Sequence, residues 1–319
     1  MNAFIAIVAA LLLASDVLAA EPVNRTPLVV YAGHNDEAAL NALFASFSTE
    51  TGIPVVVEFG DAAAQADALI RKTDRPRADV LFHPMVQSIW RAGMEGALRP
   101  YRSEAADSLV AEGLRDPDGT WITISVVEAR ILVDTRSIDS NDVTGFEYLS
   151  SEALAGRLCL TSSALPINRA VVSELIAGHG RRPAEILVRG WVANLAAPPF
   201  ATERELVAAI ASGACAAGIV SSTVGRPVLP GFIRQPLAAI TPVPAVVNVE
   251  AIGISRHATD PDAARQLIEW LLSDEVQQQY PADNGRLSAG QYGTAGRQLS
   301  VLGEQDGEAL KLAERARYR

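Results

Sequence analysis

Polar side chains of types that bind ligands follow directly after short apolar runs of this sequence. His34 follows residues 28–31 closely, and His83 comes directly after residues 78–82. Imidazole nitrogens bind metal ions or donate to anions, and carboxylate oxygens add further ligands. The sequence therefore predicts a ligand site assembled from separated segments. Its candidates in the first half of the chain are His34, Asn35, Asp36, Asp61, His83, Glu128 and Arg130.

Hydroxyl groups cluster after two further apolar runs, at 158–160 and at 217–220. Hydroxyls and backbone N–H groups at such places can hydrogen-bond a small polar or anionic ligand. The alternative is ordinary turn and capping chemistry, which is equally open for Asp61 and for the residues around position 35. The candidates of this second group are Ser162, Ser163, Asn168, Ser221, Ser222 and Thr223.

His34 and His83 are the predicted metal ligands, and Asp36 and Glu128 could complete a site of mixed nitrogen and oxygen donors. Glu128 facing a cleft would favour a cationic ligand; alternatively it pairs with Arg130 or solvent. A metal ion or a metal chelate is thus the one cofactor that the sequence suggests. We predict no enzymatic activity, because the chain has no Gly-x-Ser-x-Gly motif and no hydrolase-like order of Ser, His and Asp.

Composition narrows the class of partner. The 319 residues are 49% hydrophobic and carry a formal charge of −10, and they contain no basic run, which disfavours a nucleic-acid partner. The first apolar run is shorter than the roughly 20 residues of a membrane-spanning helix, and small residues follow it. We therefore predict a signal peptide at 1–20, export to the periplasm and no membrane insertion of the mature chain.

Cys159 and Cys215 are the only cysteines. An exported chain with two thiols favours one disulfide between them. Two buried free thiols are the alternative.

Hydrophobic periodicity indicates the elements that must position these residues. Strands at 28–31, 53–59 and 78–82 alternate with helices at 36–51 and 62–72, which predicts a parallel α/β sheet. Ligands bind beyond the carboxyl ends of such strands. Further along we expect strands at 121–127, 130–134, 158–160, 217–220 and 246–254, and helices at 167–178, 184–195, 203–212, 260–272 and 304–317.

Seven segments resemble, in order and spacing, those of periplasmic iron(III)-binding proteins of ABC importers. They are VVYAG (29–33), FSTETGI (47–53), RADVLF (77–82), GRLCLTSS (156–163), WVANL (191–195), VAAIASG (207–213) and LGEQDGEALKL (302–312). The resemblance implies a type II periplasmic-binding-protein fold, with two α/β lobes around a hinged ligand cleft. It places 27–127 and 246–319 in lobe 1 and 128–245 in lobe 2.

The resemblance also implies a role and partners. The protein would be a monomeric solute receptor that binds a small molecule or metal chelate and delivers it to an ABC permease and ATPase. A ligand sensor that docks on a membrane receptor is the alternative.

The expected iron ligands depart from the family pattern. Thr223 and Val224 occupy the place of two adjacent tyrosines, and Ile167 stands where some members have another. None of the six tyrosines are adjacent to one another. Phenolates suit a hard trivalent cation because they are anionic oxygen donors. The fold therefore carries over while the tyrosine chemistry does not, which leaves chelated iron, another metal or another small polar ligand open.

Overall fold

The computed structural model describes residues 25–33, 37–71, 78–224, 235–283, 285–292 and 299–319. The predicted leader at 1–20 and the candidates His34, Asn35 and Asp36 lie outside these residues. The first elements alternate as predicted, and β1 pairs in parallel with both β2 and β3. These elements are β1 (Leu28–Gly33), α1 (Glu37–Thr51), β2 (Val55–Gly60), α2 (Ala62–Arg71) and β3 (Val80–His83).

A single long strand connects the two halves of the sheet. The extended runs predicted at 121–127 and 130–134 form one strand, β5 (Ile122–Asp134). Its first half pairs with β8 (Val247–Ser255), and its second half pairs with β6 (Ala217–Ser221) and β7 (Leu237–Ile240). The change of partner falls between Glu128 and Ala129, so two predicted site residues, Glu128 and Arg130, flank the crossing.

The second lobe is built on β6 and on three helices, α5 (Pro166–His179), α6 (Arg181–Ala193) and α7 (Glu203–Ala211), all close to their predicted positions. The strand expected at 158–160 is wrong: Leu158 and Thr161 form only isolated bridges. Leu158 pairs with Leu195 and with Ala217, the first residue of β6, and Thr161 pairs with Phe200, each at a single residue.

The remaining elements include two that were predicted: α8 (Pro261–Leu271) and α10 (Ser300–Arg315) match the helices expected at 260–272 and 304–317. Five others were not predicted, namely α3 (Val86–Met94), β4 (Leu98–Arg99), α4 (Glu104–Leu109), α9 (Asp274–Asp283) and β9 (Leu287–Ser288). The short helix α3 begins shortly after the end of β3, and β8 pairs antiparallel with β3 and with β4.

The last helix, α10, packs against elements on both sides of the crossing. Its Gly303 lies so close to Trp90 of α3 that a Cβ atom there would be 2.4 Å from the indole ring. Its Asp306 pairs with Arg169 of α5, and beyond its end the buried Tyr318 hydroxyl donates to the Thr161 carbonyl. In the described part of the chain, no helix is long and apolar enough to cross a membrane. The residue boundaries assigned to the two lobes stay a prediction.

Candidate functional site

The carboxyl ends of β1 and β3 meet the start of α2 at one edge of the sheet. A Cβ atom at Gly33 would lie 2.7 Å from Cδ of Pro84 and 3.4 Å from Cβ of Ala62. Only a glycine allows this close approach of three segments. Of the predicted candidates in the described residues, Asp61 and His83 belong to the segments that meet at this edge.

Asp61 at this edge caps α2. Its Oδ1 accepts a hydrogen bond of 2.8 Å from the backbone N–H of Ala64, three residues into the turn. This satisfies one of the free N–H groups that begin a helix. The capping alternative is therefore present in the structure, and the side chain is exposed, so a ligand contact stays a prediction.

His83 lies beneath the edge, with no exposed surface. Gln65 donates from Nε2 to the carbonyl of Glu58 at 2.8 Å, so its Oε1 faces the ring of His83 at 3.0 Å. Nε2 of His83 must then carry the proton, and Nδ1 is left buried without a hydrogen-bond partner. Burial lowers the pKa of His83 to about 3, against a smaller opposing effect of the Asp61 charge. The geometry favours a neutral structural imidazole, and ligation by His83 stays a prediction.

Glu128 and Arg130 form the charged pair of the site. Arg130 donates from Nε and Nη2 to the same carboxylate oxygen of Glu128, Oε2, at 3.1 and 2.6 Å. The side chains are 12% and 30% exposed, respectively. Within the described residues, Oε1 of Glu128 and Nη1 of Arg130 make no hydrogen bond. Each group therefore keeps one polar atom for a ligand.

The hydroxyls after β6 are joined to this pair and to a buried carboxylate. The hydroxyl of Ser222 accepts from the backbone N–H of Glu128 at 3.1 Å. Ser221 donates from its backbone N–H and its hydroxyl to the two carboxylate oxygens of Glu203, at 2.6 and 2.7 Å. The hydroxyl of Thr223 lies 2.5 Å from that of Ser221, so Thr223 donates in this pair. Burial raises the pKa of Glu203, and the bonds from Ser221 oppose that rise.

The last predicted group lies where α5 begins. Asn168 donates from Nδ2 to the hydroxyl of Thr161 and to the carbonyl of Ser162, both at 2.8 Å, while its Oδ1 is buried without a partner. The Ser162 hydroxyl accepts from the backbone N–H of Ala164 at 3.3 Å, a local turn. Ser163 is half-buried and makes no hydrogen bond to the described residues.

The structure thus brings together Glu128, Arg130, Ser221, Ser222 and Thr223, and separately His83 with Asp61. Within the described residues, no hydrogen bond joins one set to the other. Nor do three His, Cys, Asp or Glu side chains of those residues come together as a metal site.

Asn248 connects the two lobes and was missed by sequence reasoning. Its Oδ1 accepts from the backbone N–H of Val86, at the start of α3, at 3.1 Å. Its Nδ2 donates to the carbonyl of Pro166, at the start of α5, at 3.2 Å. One buried amide therefore ties the beginnings of two helices to β8. Nothing in the sequence near Asn248 signals this role, because both partners are more than 80 residues away.

Tyr292 was also missed. Its phenol lies close enough to Glu128 and Arg130 for both charges to act on it. Burial and the Glu128 carboxylate raise the pKa of Tyr292 to about 12, against a lowering effect of Arg130. Its sequence neighbours are mostly small residues without periodicity, so no sequence signal pointed to it.

The predicted disulfide between Cys159 and Cys215 is confirmed, with 5.8 Å between the Cα atoms. Both cysteines and Val224 belong to one apolar cluster beneath the end of β6. The side chain of Val224 is 3% exposed. Val224, which the sequence resemblance assigns to the second position of the tyrosine pair, therefore lies in the core of this chain.

Comparisons with known proteins agree with this architecture. The family model described as bacterial extracellular solute-binding protein matches residues 28–283. Iron uptake protein A1 of Synechocystis is 26% identical over 247 residues, which cover 74% of this chain and 69% of that protein. Among solved structures, the ferric binding protein from Campylobacter jejuni has a TM-score of 0.83 at 21% identity, covering 92% of this chain and 100% of that one.

A second solved structure, Trichodesmium IdiA (FutA) in complex with iron and citrate ligands, has a TM-score of 0.81 at 22% identity and covers 92% of this chain and 100% of that one. These likenesses show that the fold is that of type II periplasmic binding proteins, with two α/β lobes around a cleft. Because the family model covers most of the sequence, the chain belongs to the bacterial extracellular solute-binding proteins.

Proposed function

We propose that this protein is a periplasmic receptor that captures ferric iron as a chelate and delivers it, chemically unchanged, to the permease and ATPase of an ABC importer. Membership of the extracellular solute-binding family supports a binding role. A relative named for iron uptake and a similar fold seen with iron and citrate support iron as the cargo. The protein itself would carry no catalytic residue.

One observation carries the choice of a chelate over the free ion. The positions equivalent to two adjacent tyrosines are Thr223 and Val224, and Val224 is buried in the apolar cluster around the disulfide. A free ferric ion would find no pair of phenolates there. A chelator that brings its own anionic oxygens needs few protein ligands.

The charged pair suits an anionic chelator. Arg130 is partly exposed and its Nη1 is free of hydrogen bonds to the described residues. A guanidinium matches the geometry of a carboxylate and binds it with charge-assisted hydrogen bonds. Citrate, which is rich in carboxylates, is therefore a suitable probe.

The experiment is native mass spectrometry and thermal denaturation of the mature protein with ferric citrate, citrate alone and no ligand. We expect a retained mass of iron plus citrate and a rise in Tm with ferric citrate only. If ferric citrate leaves both the mass and the Tm unchanged, the proposal is wrong.

Arg136 offers a matched control for Arg130. Each arginine pairs with the carboxylate two residues before it, Asp134 in the case of Arg136, but Arg136 follows the last residue of β5, away from the crossing. We expect Arg130→Gln to weaken ferric citrate binding about 10- to 100-fold, as for a lost hydrogen bond to a charged group. Arg136→Gln should bind as the unaltered protein does.

A further inference from the structure

Glu128 places a negative charge where β5 passes from one lobe to the other. It is the last residue of β5 that pairs with β8, and Ala129 already pairs with β6. The side chains of a strand alternate between its faces, so Glu128 and Arg130 share one face while Ala129 between them is buried on the other. A ligand that binds at this crossing therefore meets a carboxylate and a guanidinium together.

The carboxylate limits what the guanidinium can offer to an anion. Nε and Nη2 of Arg130 both donate to Oε2 of Glu128, at 3.1 and 2.6 Å. This pair of nitrogens is one of the edges with which a guanidinium binds a carboxylate through parallel N–H bonds. A free carboxylate that approached this edge would have to displace Glu128.

A second carboxyl group lies close to the pair. Ser222 accepts a hydrogen bond from the backbone N–H of Glu128. Its neighbour Ser221 donates its backbone N–H and its hydroxyl proton to the carboxylate of Glu203. Among the described residues joined by these bonds, two carboxyl groups accompany one guanidinium, so the group has no surplus of positive charge.

Such a group of charges distinguishes a metal chelate from the chelator alone. The carboxylates of free citrate are ionised near neutral pH, whereas in the ferric complex the charge of the metal offsets them. Repulsion by Glu128 therefore acts on a highly charged anion in one case and on a weakly charged complex in the other. Like charges brought together weaken binding strongly, and specificity often depends on such a penalty against the wrong partner.

We propose that Glu128 is a specificity-determining residue of the site: its charge, and its hold on one edge of Arg130, exclude the iron-free chelator and leave the site to the ferric chelate. This inference rests on the proposed function. Free chelator is the competitor that matters, because ferric iron stays dissolved only while chelator is in excess. The carboxylate acts on the charge of the whole ligand, and no bond between Glu128 and the metal is needed.

The test is isothermal titration calorimetry of the mature protein with citrate alone, ferric citrate and gallium citrate. The unaltered protein should bind the two metal complexes alike and citrate alone at least about tenfold more weakly. Glu128→Gln keeps an oxygen for Arg130 but loses the charge. It should bind citrate alone about 10- to 100-fold more tightly than the unaltered protein does, while its affinity for ferric citrate changes by less than about threefold.

Asp134→Asn is the matched control, because Asp134 also accepts from Nε and Nη2 of an arginine two residues further on. Asp134 is the last residue of β5, away from the crossing, so this variant should reject citrate alone as the unaltered protein does. Glu185→Gln, which removes a carboxylate paired with Arg189 on α6, replaces this control if Asp134→Asn does not fold. Glu128→Ser likewise replaces Glu128→Gln. The Tm of each variant without ligand shows whether it is folded.

The outcomes separate this inference from the proposed function. If Glu128→Gln still rejects citrate alone, or if the control variant gains citrate binding to the same extent, the role of Glu128 is wrong and the receptor function stands. The same holds if the unaltered protein binds citrate as tightly as ferric citrate. If the unaltered protein binds neither ferric citrate nor gallium citrate, both proposals are wrong.

Discussion

Acid should destabilise this protein through His83, and the size of the effect follows from its burial. The ring is fully enclosed and its pKa is lowered to about 3, whereas a histidine in an unfolded chain has a pKa of about 6.5. Between these two values the unfolded state binds a proton that the folded state does not. Stability therefore rises with pH across this range, is fully present above the unfolded value and is lost as the pH falls towards 3.

The magnitude can be worked for a mildly acidic solution. At about pH 5 the unfolded histidine is almost wholly protonated and the folded one is not, which removes roughly 2 kcal/mol of unfolding free energy relative to neutral pH. The sign of this change in unfolding free energy depends on the surroundings of the His83 ring. Gln65 accepts one hydrogen bond, but nothing in the described structure accepts a second proton on Nδ1.

The assay is urea unfolding at neutral pH and at about pH 5 for the unaltered protein, His83→Gln and His257→Gln. His257 is exposed in the turn after β8, so its replacement controls for the loss of any histidine. We expect the unaltered protein and His257→Gln to lose roughly 2 kcal/mol more than His83→Gln on acidification. Equal losses in all three would refute the enclosed, neutral imidazole.

Three further perturbations test the packing around the site. Burial raises the pKa of Glu203, so its ionisation opposes folding, and stability should fall as the pH rises through its unfolded and then its folded pKa. Glu203→Gln should flatten the dependence of Tm on pH in that range. An unchanged profile would contradict this. The double variant Cys159→Ala, Cys215→Ala lacks the disulfide, whose cysteines are 56 residues apart. Its unfolding free energy in urea should be lower by about 4 kcal/mol, as expected for a loop of that length. A loss well below about 1 kcal/mol would count against a stabilising disulfide. Gly303→Ala should lower the unfolding free energy by about 1–3 kcal/mol, because its Cβ would meet Trp90. Gly307 in the same helix has open space around it, so Gly307→Ala should raise the unfolding free energy by about 0.5–1 kcal/mol. Similar values for both would show that α10 does not pack as described.

The alternation of β1, α1, β2, α2 and β3 could be predicted because each element has its own local period. Two elements show where that signal ends. Glu128 and Arg130 made β5 look like two runs, since both polar residues fall inside one strand at the crossing. The helix α3 has its buried apolar residues at 86, 89 and 92, too few turns to stand out between Pro84 and Gly96.

The site was only partly predictable, because its contacts join residues far apart in the chain. Glu128 and Arg130 are neighbours in sequence, and their pairing was one of the alternatives that the sequence left open. The contact of Ser221 with Glu203 depends on how the end of β6 meets the start of α7. No local pattern encodes such a meeting.

The alternatives that the sequence left open for each polar residue have a common consequence for the ligand. Asp61 caps a helix, His83 is enclosed, and the hydroxyls of Ser221 and Ser222 are engaged within the protein. Among the described candidates, this leaves Oε1 of Glu128, Nη1 of Arg130, the hydroxyl of Ser163 and Oδ1 of Asn168 without a hydrogen bond to the described residues. Three of these four atoms are oxygens, the fourth belongs to a guanidinium, and none belongs to an imidazole. Such a set is poorly matched to a soft metal and well matched to a hard cation that arrives with an anionic chelator.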